Sequence, residues 1–235
     1  MNRRNDHWGG SLENRFRIIA QIRARARQRV GDYPSMVKFS SHDGDKGGMR
    51  IDESLRIAEL FQKAGFDALE VSCGSINDGL NAVRTASVPA EAFVELVPWN
   101  RSLPAPVKAI FKKTVPFLVK MHTPLHNYNV GAAAEIKKHV DIPVIVVGGI
   151  RKLSDIEDII EKKKADFVAM SRPFIIEPNL VNKYKSGQQL ESRYIDCGYC
   201  VPGMMGQQLH CYYGKLKSAS TRNYSPCDLI MHKSS

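Results

Sequence analysis

The stretch that decides the fold is Ile142-Pro143-Val144-Ile145-Val146-Val147-Gly148-Gly149-Ile150, followed by a helical run over 154–164 and then by Asp166-Phe167-Val168-Ala169-Met170-Ser171. The first part is a short apolar, β-branched run closed by two glycines, the pattern of a strand buried on both faces. The last part is a second strand. A strand, a helix and a strand in this order form a right-handed βαβ crossover, so the two strands lie parallel.

Outward from this unit the same alternation recurs. Upstream, 130–140 reads as a helix with Asn129 as its N-cap. Residues 68–72 read as a strand, and 52–64 as a helix with Leu55, Ile57, Ala58, Leu60, Phe61 and Ala64 apolar and Gly65 at its end. Residues 35–40 read as a strand, and 13–30 as a helix with Phe16, Ile19, Ala20, Ile22, Ala26 and Val30 near a helical period and Gly31 as its stop. The fold class is therefore α/β with a parallel sheet. A closed β/α barrel needs eight strands in about 250 residues. The chain's 235 residues come near that length, but four strands do not suffice. The shortfall lies in 74–128 and in the tail after 185, which use length without adding strands. A connection of that size is uncommon unless it is functional. The tail, rich in Gly, Tyr, Cys and Ser, is expected to be irregular.

Composition narrows the class. With 43% hydrophobic and 25% charged residues the chain is an ordinary globular one, and disorder is excluded. Its longest apolar run, 142–150, falls far short of the roughly 20 residues that span a bilayer. The polar opening residues carry no apolar signal segment, and five cysteines in a chain this long do not make a disulfide framework. Both point to the cytoplasm. The net charge of +10 is local: eight arginines lie in 2–30 against Asp6 and Glu13, and 101–122 holds Arg101, Lys108, Lys112, Lys113 and Lys120 with no acid. Arginines 23, 25, 27 and 29 alternate around a helix and do not form one stripe, so a solvated helix face is expected and nucleic acid is not. Residues 104–120 are amphipathic and cationic, as at a lipid interface, although Pro116 interrupts them.

Several residues invite a chemical reading. Small residues after late barrel strands let backbone N–H groups approach a phosphate, so Gly148-Gly149 and Ser171-Arg172 fit such a site, with Arg172 adding forked donors. From spacing alone, two glycines after a strand more often mean a tight βα turn. Lys38 sits in its strand between Val37 and Phe39, which point to the opposite face. Inside a barrel it needs a partner, whereas at a strand end it reaches solvent. Cys197, Cys200 and Cys211, with His210, suggest zinc, but adjacent His210 and Cys211 are awkward partners in one ligand shell. His122 and His126 have helical spacing, yet Pro124 lies between them and no carboxylate is near. No metal site is expected.

The opening segment Asn2-Arg3-Arg4-x-Asp6-x-Trp8-Gly9-Gly10-Ser11-x-Glu13-Asn14-Arg15-x-Arg17 resembles the signature of the old yellow enzyme family, FMN-dependent NADH:flavin oxidoreductases that include the bacterial 2,4-dienoyl-CoA reductases. The resemblance continues through Val37-Lys38-Phe39-Ser40, Ala64-Gly65-Phe66-Asp67, the stretch 142–150 and 165–173, and covers residues 2 to 200. In that family the signature follows the fourth barrel strand. The resemblance thus implies a partial (β/α)8 TIM barrel, its C-terminal four βα units, over 1–190, with 74–128 as an insertion or lid and 191–235 as an irregular Cys-containing tail. It implies FMN held at Gly148, Gly149, Ser171 and Arg172, with Lys38 near the flavin pyrimidine ring. NAD(P)H is the implied reductant, and an activated alkene, as an unsaturated carbonyl or thioester, the substrate. Residues that orient and protonate the alkene belong to the first half of the barrel, so no catalytic residue is assigned here. Dienoyl-CoA reductase relatives bind a four-iron cluster through C-x2-C-x3-C-x11-C. Here Met204 and Leu216 stand at the third and fourth positions, so a cluster is not expected. The chain is expected to be inactive alone, and to associate with the missing N-terminal half or a second copy of itself. A non-catalytic half-barrel scaffold is the competing expectation.

Overall fold

The computed structural model describes residues 2–44, 47–75, 83–86, 88–119, 122–205, 209–214 and 216. Helix α1 (Leu12–Val30) starts where Ser11 Oγ accepts the Asn14 N–H. The arginine-rich opening segment is built around this start. Asp6 pairs with Arg4 and accepts the Trp8 N–H at 3.1 Å, while Arg17 donates to the His7 carbonyl at 2.9 Å. Glu13 and Arg15 reach across to Arg56 and Glu53 of the next helix. The signature thus fastens a loop and a helix. Arg23 departs from the expected solvated face: it is buried, with Nε donating to the Gly65 carbonyl at 3.0 Å, because it spans the end of the following helix.

Strand β1 (Met36–Ser40), helix α2 (Ile51–Lys63) and strand β2 (Ala68–Ser72) follow. Helices α3 (Ala90–Leu96), α4 (Pro98–Arg101) and α5 (Ala105–Leu118) come next, then α6 (Val130–Lys137), β3 (Val144–Val147), α7 (Leu153–Glu161) and β4 (Phe167–Ala169). The chain continues through α8 (Arg172–Ile176), α9 (Leu180–Lys185) and α10 (Cys200–Gly203). The sheet order is β1-β2-β3-β4, all parallel. All four expected strands form. The long segment 74–128 contributes helices, and among its described residues the strand-like pairing is one isolated bridge, Arg84 to His122. Pro98 and Pro106 occupy first-turn positions, where a missing N–H costs nothing, and Pro116 falls in the last turn of α5.

One face of the sheet is covered. Leu69, Val71, Val144 and Val146 are fully buried there against Phe16, Ala58, Phe61, Ala133, Ile136 and Ile159, with Val37, Phe39 and Val168 beside them. Alternation turns Met36, Lys38, Glu70, Ile145 and Phe167 to the other face. A second, small core joins Ala92 and Leu96 of α3 to Tyr212 and Leu216. Lys120, which closes the amphipathic segment, and Cys227 lie outside the described residues, as do 76–82 of the expected insertion and most of the tail beyond 216.

Candidate functional site

Parallel strands deliver their following loops to one end of the sheet, and there the sequence places its unusual residues. A cavity of about 270 Å3 opens at that end. Lys38 of β1, Ser72 at the end of β2, Gly148 and Gly149 after β3, and Ser171 and Arg172 after β4 all line it. All five residues singled out in the sequence therefore meet on one cavity.

The glycine pair is fixed by geometry. Gly149 has φ of 69°, and a Cβ there would sit 2.2 Å from the Leu125 carbonyl oxygen. At Gly148, with φ of 138°, it would fall 2.7 Å from the Tyr128 ring and from Asn129 Nδ2. Segment 125–129 thus lies directly on the turn. Asn129 is at the N-cap position of α6, as expected, but its side chain is used otherwise: Nδ2 donates to the Val147 carbonyl at 2.5 Å and ties the segment to the end of β3.

Arg151 and Arg172 line the cavity, and Arg84 packs on the lining residue Tyr128. Arg172 Nη1 donates to the Arg84 carbonyl at 2.7 Å, and its guanidinium lies 5.0 Å from the Tyr194 ring centroid. Arg84 lies over Tyr128 at 4.6 Å. Arg151 donates to Asp196 Oδ2 at 2.7 Å and to the Tyr194 carbonyl at 2.9 Å, and its Nη2 is 2.7 Å from His126 Nε2. A guanidinium can only donate, so that His126 nitrogen is the acceptor. Burial pushes the Tyr194 hydroxyl well above the usual phenol range, with Arg172 opposing and Asp196 reinforcing the shift, and that hydroxyl is buried without a hydrogen-bond partner. Lys38 Nζ is 2.8 Å from Glu70 Oε1, its register partner on β2. Arg151, Tyr194 and Asp196 are site residues that sequence reading missed. Arg151 follows the Gly148-Gly149-Ile150 turn directly, which was the available signal, whereas nothing in the irregular tail marks Tyr194.

Cys197, Cys200 and Cys211 line a smaller cavity of about 180 Å3 on the other side of Arg172 and Tyr194. Cys197, Cys200 and Cys211 are free thiols. Burial pushes the Cys197 and Cys200 thiols up, which disfavours thiolates. Among the described residues no three His, Cys, Asp or Glu side chains converge as a metal site would require.

A parallel βα sheet whose chemistry collects at the carboxyl ends of its strands is the arrangement of a TIM-barrel enzyme, and comparison with known proteins agrees. Residues 105–191 match the NADH:flavin oxidoreductase / NADH oxidase family. The chain is 33% identical over 211 residues to an NADH oxidase of Thermoanaerobacter brockii, covering 88% of this chain and 27% of that protein. It is 30% identical to a 4,4'-dithiodibutanoate disulfide reductase of Rhodococcus erythropolis, covering 86% of this chain and 49% of the relative. Among solved structures, a 2-naphthoyl-CoA reductase superposes with a TM-score of 0.66 at 22% identity over 89% of this chain and 27% of its own. The old yellow enzyme homologue from Zymomonas mobilis gives 0.51 at 18% identity, over 83% and 43%. The chain is similar to this flavin oxidoreductase family, of old yellow enzyme type, over the C-terminal part of its barrel. It spans between about a quarter and a half of the length of these relatives.

Proposed function

We propose that this chain holds the phosphate end of FMN within an ene or dienoyl reductase type of oxidoreductase, which takes electrons from NAD(P)H and reduces an α,β-unsaturated carbonyl or thioester. The observation that carries this reading is the convergence of Lys38, Gly148, Gly149, Ser171 and Arg172, from three strands, on one cavity. The residues fit the group in kind and in size. The cavity's 270 Å3 has room for a phosphate and its linker. Arginines supply charge, and the unpartnered Tyr194 hydroxyl is a donor awaiting an acceptor.

Bound flavin would supply hydride exchange between nicotinamide and alkene. The chain's own residues bind and orient. Arg172, Ser171 and the backbone at Gly148 and Gly149 hold the phosphate, and Lys38 sets positive charge beside the ring, tempered by Glu70. Residues 74–128 act as a lid, a reading supported by Val83, Leu125 and Tyr128, which reach the cavity from its two ends.

The open face of the sheet, together with the share of each relative that the chain spans, supports completion by four further βα units or by a second copy of this chain. Without that completion the chain is proposed to be inactive. An odd number of cysteines scattered along the chain supports a cytoplasmic setting. Replacing Arg172→Ala removes a charge-assisted contact and should weaken FMN binding about tenfold to a hundredfold by equilibrium dialysis. An unchanged dissociation constant would leave the scaffold reading as the better one.

A further inference from the structure

Helix α5 turns its apolar side outward. Val107, Ile110, Phe117 and Leu118 share one side at helical spacing and are 44%, 64%, 90% and 75% exposed. Trp99 of α4 adds a further exposed ring. The inward side is the polar one: Lys108 and Lys112 reach Glu95 of α3 at 3.6 and 3.3 Å, and Val115 is buried beside them. The helix is therefore anchored through two ion pairs and Val115, and most of its large hydrophobes face outward.

Charge decides what this face meets. From residue 96 to 134 the sequence contains no Asp or Glu, while Arg101 and Lys113 are exposed on the same segment. Two copies joined through it would bring like charges together with no acid from either segment to neutralise them. An anionic bilayer has the matching chemistry: acyl boundary for the hydrophobes and phosphate headgroups for the cations.

We propose that the exposed face of α5 docks on an anionic lipid surface, with Phe117 and Leu118 entering the acyl boundary and Arg101 and Lys113 at the headgroups. It is an interfacial contact, and no described helix is long and apolar enough to cross a membrane. The proposal does not rest on the phosphate site, because none of these residues lines that cavity.

The test is co-sedimentation of the full chain with vesicles of equal parts phosphatidylcholine and phosphatidylglycerol, against phosphatidylcholine alone. Binding is expected on the anionic vesicles and should fall at least about tenfold in Phe117→Ser/Leu118→Ser. It should fall by about fivefold or more in Arg101→Glu/Lys113→Glu, with unchanged circular dichroism in both variants. No binding to the anionic vesicles, equal binding to the neutral ones, or binding that survives the apolar double substitution would overturn the proposal. Self-association that the apolar substitutions dissolve, without vesicle binding, would assign the face to a second copy and overturn it equally.

Discussion

The two faces of the sheet behave as two different proteins. On one, Leu69, Val71, Val144 and Val146 are sealed under helices. On the other, Met36 is 57% and Phe167 58% exposed, and a Lys38–Glu70 ion pair occupies the row of registered residues that ends at Phe167. Parallel sheets are ordinarily buried on both faces and flanked by neighbours at both edges. The covered face therefore explains why these residues fold, and the open face explains what the fold is for. Its stability comes from the helices, while the residues proposed to hold a ligand gather on the side the helices leave open.

That asymmetry is measurable. Leu69→Ala empties a fully packed position and should cost about 3–5 kcal/mol in denaturant unfolding, whereas Phe167→Ser on the open face should cost under about 1 kcal/mol. Equal costs would mean that the inner face is covered after all.

A smaller effect separates the carboxylates of the fold. Glu177 is buried, and although burial opposes its ionisation, the Arg193 N–H, Gln189, Lys183 and Ser192 outweigh it and hold its pKa down to about 2. A depressed carboxyl pKa contributes stability that is complete above the unfolded value and is lost as pH falls toward the folded one. The chain should therefore lose stability between about pH 5 and pH 2. Glu177→Gln should cost about 2–3 kcal/mol at neutral pH and flatten that acid limb, as read by thermal melts across pH.

Smaller still is the strain at the glycine turn. Gly149→Ala, with φ of 69° and its Cβ set against the Leu125 carbonyl, should cost about 1–3 kcal/mol and loosen the 125–129 segment. An unaltered melting temperature would show that this segment is not held on the turn.

The four strands and their covering helices were legible because period and turn residues agree at each of them. The ends were less so. Read as 166–171, the last strand runs only from Phe167 to Ala169, because Asp166 uses its carboxylate to accept from Lys137 and the Val144 N–H, and Ser171 stands at the N-cap of α8. The helices of 74–128 were hidden by prolines, which read as breakers but here open helices. At the site, Gly148, Gly149, Ser171 and Arg172 were visible from their place after strands. Arg151, Tyr194 and Asp196 were not, since long-range packing of the tail carries them there and no local pattern records it.

The central claim, that this chain supplies a phosphate site and not a whole flavin site, is tested most directly by parallel titration with FMN and riboflavin, which differ only in the phosphate. Weak binding of FMN, little quenching of isoalloxazine fluorescence and no measurable binding of riboflavin are expected. Tight binding of both, with strong quenching, would contradict it and mean that these four strands already enclose the ring.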